Sequence, residues 1–221
     1  MARFVGRLGT KLNYALGRAE KTEYDEATKN AMRNFECFKE DTDKVVERLV
    51  EYIPKPRTLT KEERIAEAAA KMSARVEPTH SLAKNASAFA DCMRTIGRAV
   101  QEMGVAVTEN TIRGMRDFGK NEFEAYKKAR TALQNATLDM DGARAKRSRS
   151  TSPDPAVRQT LDTNQRNTEH VFEERKNALL EIANRINYHC EKQYNANRAF
   201  GKAMLNYHNT AIAALNEYLG Q

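Results

Sequence analysis

Residues 21–53 read "KTEYDEATKNAMRNFECFKEDTDKVVERLVEYI", without a single Gly or Pro, and the spacing of their apolar residues decides the fold. Tyr24, Ala27, Ala31, Phe35, Phe38, Val45, Leu49 and Tyr52 follow one another in steps of three, four or seven. That is the period of an α-helix with one apolar side, and it does not fit the alternation of a half-buried strand. A stripe this narrow, sustained over so many turns, has the form of a coiled-coil seam. "PKP" at 54–56 ends the helix, because proline removes a backbone donor and clashes with the preceding turn.

Working outward, "LTKEERIAEAAAKMSARV" (59–76) restarts a helix, with Thr60 and Glu63 in capping-box spacing. "EPTHS" (77–81) interrupts it. A second long pattern runs from about Leu82 to Arg147 through Phe89, Met93, Ile96, Val100, Met103, Val107, Ile112, Met115, Phe118, Tyr126 and Leu133. Gly97, Gly104, Gly114 and Gly119 lie inside it, each costing the helix ~1 kcal/mol relative to Ala, so a bend or break is predicted near the last two. "RSRSTSPDP" (147–155) is a loop. A third pattern spans 156–219, interrupted only by Gly201.

The chain of 221 residues holds 10 Gly and 5 Pro, and 30% of it is charged, which suits an all-α fold. Two of the helical patterns exceed 60 residues, roughly 90 Å each if straight at the α-helical rise. Rods so thin leave apolar surface that only a partner covers, and a homodimer is the economical solution. Phe35, Phe38, Phe200, Met204, Tyr207 and Leu215 are its expected interface.

A net charge of +7 calls for an anionic partner, either nucleic acid or an anionic lipid surface, and no recognisable nucleic-acid module accompanies it. No apolar run approaches the ~18 residues that span a bilayer, and cations interrupt the opening where a signal peptide needs an apolar core. The expectation is a cytoplasmic protein. Cys37, Cys92 and Cys190 are too scattered for a CxxC site and are read as reduced thiols. His80, His170, His189 and His208 lack metal-ligand spacing, and the glycines form no phosphate loop. Neither a metal, a cofactor nor an enzymatic activity is expected.

Residues 1–18 form a different kind of segment. On a helical wheel Phe4, Val5, Leu8, Leu12, Ala15 and Leu16 fall within an arc of roughly 120°, beside a narrower arc of Arg3, Arg7, Lys11 and Arg18. With three Gly in its first seventeen residues the segment is expected to be mostly unfolded in water and to fold in a lipid interface. The alternative is an ordinary helix packed on the rest of the chain. Phe4, Val5, Leu8, Leu12 and Leu16 are the candidate membrane-inserting residues. A second cluster, Arg144, Lys146, Arg147 and Arg149, lies at the end of the second long pattern and runs into the 147–155 loop, where Ser152 before Pro153 is a candidate phosphorylation site. These four cations read as a solvated tip, a nucleic-acid contact or, with the amphipathic opening, an anionic-lipid contact.

Four stretches carry a family resemblance: "LGRAEKTEYDE" (16–26), "VEYIPKP" (50–56), "LQNATLDMDGARAKR" (133–147) and "LNYHNTAIAALNEYL" (205–219). In order and spacing they resemble the N-BAR domains of the endophilins and the related nadrin-type proteins. The resemblance covers nearly the whole chain, and Leu138-Asp139-x-Asp141 followed by Arg144 is its most specific piece. It implies a single domain over 1–221, a crescent-shaped antiparallel dimer of kinked three-helix coiled coils. It implies residues 1–18 as an inserting helix, an insert near 54–80 and a distal tip near 147–155. The implied function is binding of anionic membranes and sensing or generation of curvature, as a peripheral membrane protein, with Arg3, Arg7, Lys11, Arg18, Arg144, Lys146, Arg147 and Arg149 on the lipid. Gly142 and Ala143 depart from positions often basic in endophilins. Gly114, in "IRGM", stands where the family commonly has a proline at a helix kink. The competing reading is a dimeric helical adaptor that binds proteins without lipid.

Overall fold

A computed structural model describes the backbone of residues 2–17 and 19–220, and side chains from Gly6 onward within those ranges. It contains eight α-helices and no strand among the described residues: α1 (Ala2–Ala15), α2 (Glu26–Tyr52), α3 (Lys61–Arg75), α4 (Ser81–Val107), α5 (Arg113–Asp117), α6 (Phe123–Arg149), α7 (Pro155–Ala183) and α8 (Ile186–Leu219). The chain forms two compact units.

The first unit comprises residues 1–40 and 118–188. Its core is built on seven-residue steps: Tyr126, Leu133 and Met140 on α6 meet Phe172 and Leu179 on α7, with Phe35 of α2 inserted among them. Seven residues are close to two helical turns, so each row stays on one side and α6 packs along α7. The Phe35 ring is 0% exposed, 4.9 Å from Tyr126, 5.6 Å from Phe118 and 6.3 Å from Phe123. Phe35, expected at a dimer interface, thus has its ring packed wholly within its own unit.

The second unit comprises residues 41–117 and 189–221. Met103, Val107, Ile112 and Ala203 form one cluster and Cys92, Ile96 and Ala214 another. Here α3 packs on α4 through small side chains, with Ala66 and Ala69 buried on one and Ala83, Ala86 and Ala90 on the other. The capping box at Thr60 and Glu63 makes both of its hydrogen bonds. Gly97 has a packing reason: a Cβ there would sit 2.5 Å from the Glu63 side chain and 2.9 Å from Thr60 Oγ1. Cys92 is buried and donates to the Ala214 carbonyl at 3.3 Å, whereas Cys37 and Cys190 are exposed.

Two interruptions take a different form from expectation. The backbone stays helical past Gly114 and, around Gly119, widens into a single π-helical turn at Phe118–Glu122 in place of a break, with a second such turn at Thr108–Ile112. In the turn at Thr108–Ile112, the Arg113 amide reaches back five residues to the Thr108 carbonyl, which absorbs an extra residue without opening the helix. In the last pattern, Gly201 lies inside α8, and the interruption falls at Asn184–Arg185, where Arg185 N bonds the Ile182 carbonyl three residues back at 3.2 Å.

Candidate functional site

Residues 2–17 differ most from the unfolded segment expected in water. α1 is helical over Ala2–Ala15, is closed by Gly17 at φ +64°, and lies on α6. Arg7 Nε and Nη2 donate to the two carboxylate oxygens of Asp139 at 2.9 and 2.7 Å, a two-pronged pair that fixes direction as well as distance. That hydrogen bond holds the Arg7 pKa above its ordinary value, against the opposing cost of burial. One helical turn on, Thr10 is 4% exposed and sits over Gly142, where a Cβ would come within 2.6 Å of its hydroxyl. The glycine that departs from the basic pattern of the resembled family is thus the notch that admits α1.

Asp141 completes the contact. It is 2% exposed and accepts hydrogen bonds from the Tyr14 hydroxyl, from the Thr22 amide at 3.1 Å and from the Thr22 hydroxyl at 2.5 Å. Burying a carboxylate is costly unless such donors replace its water. Arg144 Nη1 donates to the same Thr22 hydroxyl at 3.2 Å, bringing a cation behind the buried charge. Burial, and then the bond to Asp141, pushes the Tyr14 phenol well above its ordinary pKa. One carboxylate therefore ties both the end of α1 and the start of the segment that leads to α2.

The docked face decides what the other face does. At 100° per residue, Arg7, Thr10 and Tyr14 centre roughly 160° from Leu8, Leu12 and Leu16. The three leucines accordingly point away from the chain, 55%, 62% and 53% exposed. Lys11 is exposed too. The side chains of Arg3, Phe4 and Val5 and the whole of Arg18 lie outside the described residues.

The second basic cluster divides in two. Arg144 Nε donates to Glu169 at 3.0 Å, and Arg147 pairs with Asp162. Arg144 and the neighbouring Gln165 hold the Glu169 carboxyl below the usual range, the Gln165 bond contributing more. Lys146 and Arg149 have no carboxylate partner among the described residues; Arg149 Nε donates to the Ala145 carbonyl at 3.1 Å. These two line a groove of about 600 Å³ together with Thr10 and Asn13 of α1, Gly142 and Ser150. The fold thus brings α1 and these two members of the basic cluster to one place.

Of the other residues expected at a dimer interface, Phe38 stands edge-on to Phe118 at 5.2 Å in the first unit's core. Phe200, Met204 and Tyr207 are half-buried in the second unit's own core, and Leu215 is exposed. Sequence reasoning missed Thr10, Tyr14, Thr22, Asp139 and Asp141 as a set. The one signal was the Asp139-x-Asp141 spacing, which attracted notice without a role. Among the described residues no helix is long and apolar enough to cross a membrane, and no cluster of His, Cys, Asp or Glu is suited to a metal ion.

Against this geometry, the family model described as "BAR domain" matches residues 1–221. The chain is similar to the crystal structure of a BAR protein from Galdieria sulphuraria, at 14% identity and a TM-score of 0.58, over 90% of this chain and 100% of that one. At that identity the likeness shows the fold alone. It is also similar to the N-terminal I-BAR domain of D. discoideum IBARa, at 10% identity over 100% of this chain and 88% of that one. The TM-score there, 0.39, is too low to argue from. No curated protein matches the chain.

Proposed function

Because the chain belongs to the BAR domain family, whose members generally dimerise, bind membranes and sense or generate curvature, we propose that it acts as an N-BAR module of the endophilin and nadrin type. In this reading it is a homodimer that binds anionic membranes peripherally on their cytoplasmic face and bends them, with α1 as a wedge. One observation carries the reading: a leucine edge directed away from the protein, on a helix that shares a groove with the cations Lys146 and Arg149, neither of which has a carboxylate partner among the described residues. Fully burying a leucine is worth about 1.5–3 kcal/mol, and a cation near an anionic leaflet about 1 kcal/mol. Each wedge alone is a modest anchor; two on one dimer act together.

The dimer has its own support. Leu205, Ile212 and Leu219 are spaced by seven on α8 and are 59%, 55% and 61% exposed. Such a row is a coiled-coil seam without its partner, and a second copy supplies a matching one. Ile212→Glu with Leu219→Glu is expected to yield a folded monomer in sedimentation velocity at micromolar concentration; a dimer unchanged in mass would place the interface elsewhere.

The membrane reading is tested by co-sedimentation with phosphatidylserine-containing and pure phosphatidylcholine vesicles, with electron microscopy of the pellets. Wild-type chain is expected to bind and tubulate the anionic vesicles only. Lys146→Ala with Arg149→Ala removes about 2 kcal/mol of attraction and is expected to weaken binding about thirtyfold at low salt, less at high salt where charges are screened. These two sites are cleaner than Arg144 and Arg147, whose ion pairs join α6 to α7. Failure of the wild type to sediment with either vesicle would leave the protein-binding adaptor as the better account.

A further inference from the structure

We propose that Asp139, Asp141 and Gly142 of α6 form a receptor for the chain's own N-terminal helix, which keeps α1 folded with its leucine edge outward before any membrane is met. The proposal deepens the membrane reading and rests on it for its functional consequence, but its structural half stands alone.

The opening segment is a poor helix by itself, because Gly6 and Gly9 inside it each add backbone entropy to be lost and fourteen residues are too few to be stable in water. Something must offset that cost, and the contacts sit where they do so. The Arg7 to Asp139 pair holds the first half of the helix, Thr10 in the Gly142 notch holds the middle, and Tyr14 on Asp141 holds the end. Thr22 on the same Asp141 shortens the free tether, so the helix is held at its end and along its length. Every one of these contacts uses a polar side chain and none uses a leucine, so docking leaves the inserting edge free.

The arrangement acts as preorganisation. A helix already formed and aimed needs no ordering when it reaches lipid, and the apparent affinity of a site scales with the fraction of protein in the competent form. Asp139 and Asp141 are on this account positioning residues that do not themselves touch the membrane.

Hydrogen-exchange mass spectrometry on the lipid-free chain decides the structural half. Amides of residues 8–15 are expected to exchange slowly in the wild type and at least about tenfold faster in Asp139→Asn with Asp141→Asn. Equal exchange in the two would overturn the receptor. Since Asp141 is buried and its replacement risks the local fold, a second pair acts from outside: Arg7→Glu should release α1, and Arg7→Glu with Asp139→Arg should restore protection. Absence of that rescue counts against the receptor as well. Sedimentation with phosphatidylserine vesicles decides the positioning half. The Asn variant is expected to bind about tenfold more weakly, following a docked fraction that falls to about a tenth; equal or tighter binding would overturn positioning. A wild type with protected amides that binds no vesicle would defeat the membrane reading while leaving the receptor in place.

Discussion

Leu8→Glu together with Leu12→Glu is expected to weaken binding to phosphatidylserine vesicles by at least about tenfold and to abolish tubulation, while the chain stays folded and α1 stays docked. Two leucines moved into acyl chains contribute about 3–6 kcal/mol in full burial, and half of that, for a shallow wedge, is still a factor of about 10 to 150. Glutamate adds repulsion from the anionic surface. The substitution is nearly free in the folded chain, since both side chains are more than half exposed and glutamate is a good helix former. Sedimentation reports binding, and circular dichroism together with exchange at residues 8–15 reports folding. Unchanged binding with α1 intact would mean that the outward leucines do not enter lipid.

Phe35→Ala carries the largest expected effect on stability. Emptying a fully buried phenylalanine site costs about 3–5 kcal/mol, through lost transfer energy and a cavity that the surrounding rings fill only in part. Here the ring stands against Phe118, Phe123 and Tyr126, whose packing on it would be lost together. Tyr126 is itself held in place by a 2.7 Å hydrogen bond to Glu36, so it cannot follow the shrinking core. The urea midpoint should fall accordingly with little change in slope. Protein concentration makes the test specific. Loss at a dimer interface is relieved as concentration rises, whereas loss inside one chain persists at every concentration. Relief of the defect at high concentration would return Phe35 to the interface.

The helices were legible because burial of one side of a long helix writes a three-and-four spacing into the chain. The helix ended by Pro54, the capping box at Thr60 and the loop before Pro155 are local chemistry, readable from neighbouring residues. The π turns were legible only in part. Gly119, one of the two predicted points, lies inside the second of them, whereas the first, at Thr108–Ile112, holds neither glycine nor proline and Gly114 stays within a regular helix. Phe35 shows a related limit: a heptad stripe marks a residue as buried without saying whether its own chain or a second copy buries it.

The candidate site divides along the same line. By itself, the sequence determined that the chain is all-α, that its opening has an apolar side and a cationic side, and that a second run of cations lies at 144–149. Those properties follow from residue type and spacing within one helix. Only the tertiary structure decided that Asp139 takes Arg7, 132 residues away, that Asp141 takes Tyr14 and Thr22, and that Gly142 admits Thr10. It also decided that Arg144 and Arg147 are paired with carboxylates while, among the described residues, Lys146 and Arg149 are not. The physical reason is that a carboxylate carries no mark in the sequence of which cation it will meet. That choice is made by the packing of α6 and α7, which sets which side of α6 remains open and therefore which face α1 must turn toward it.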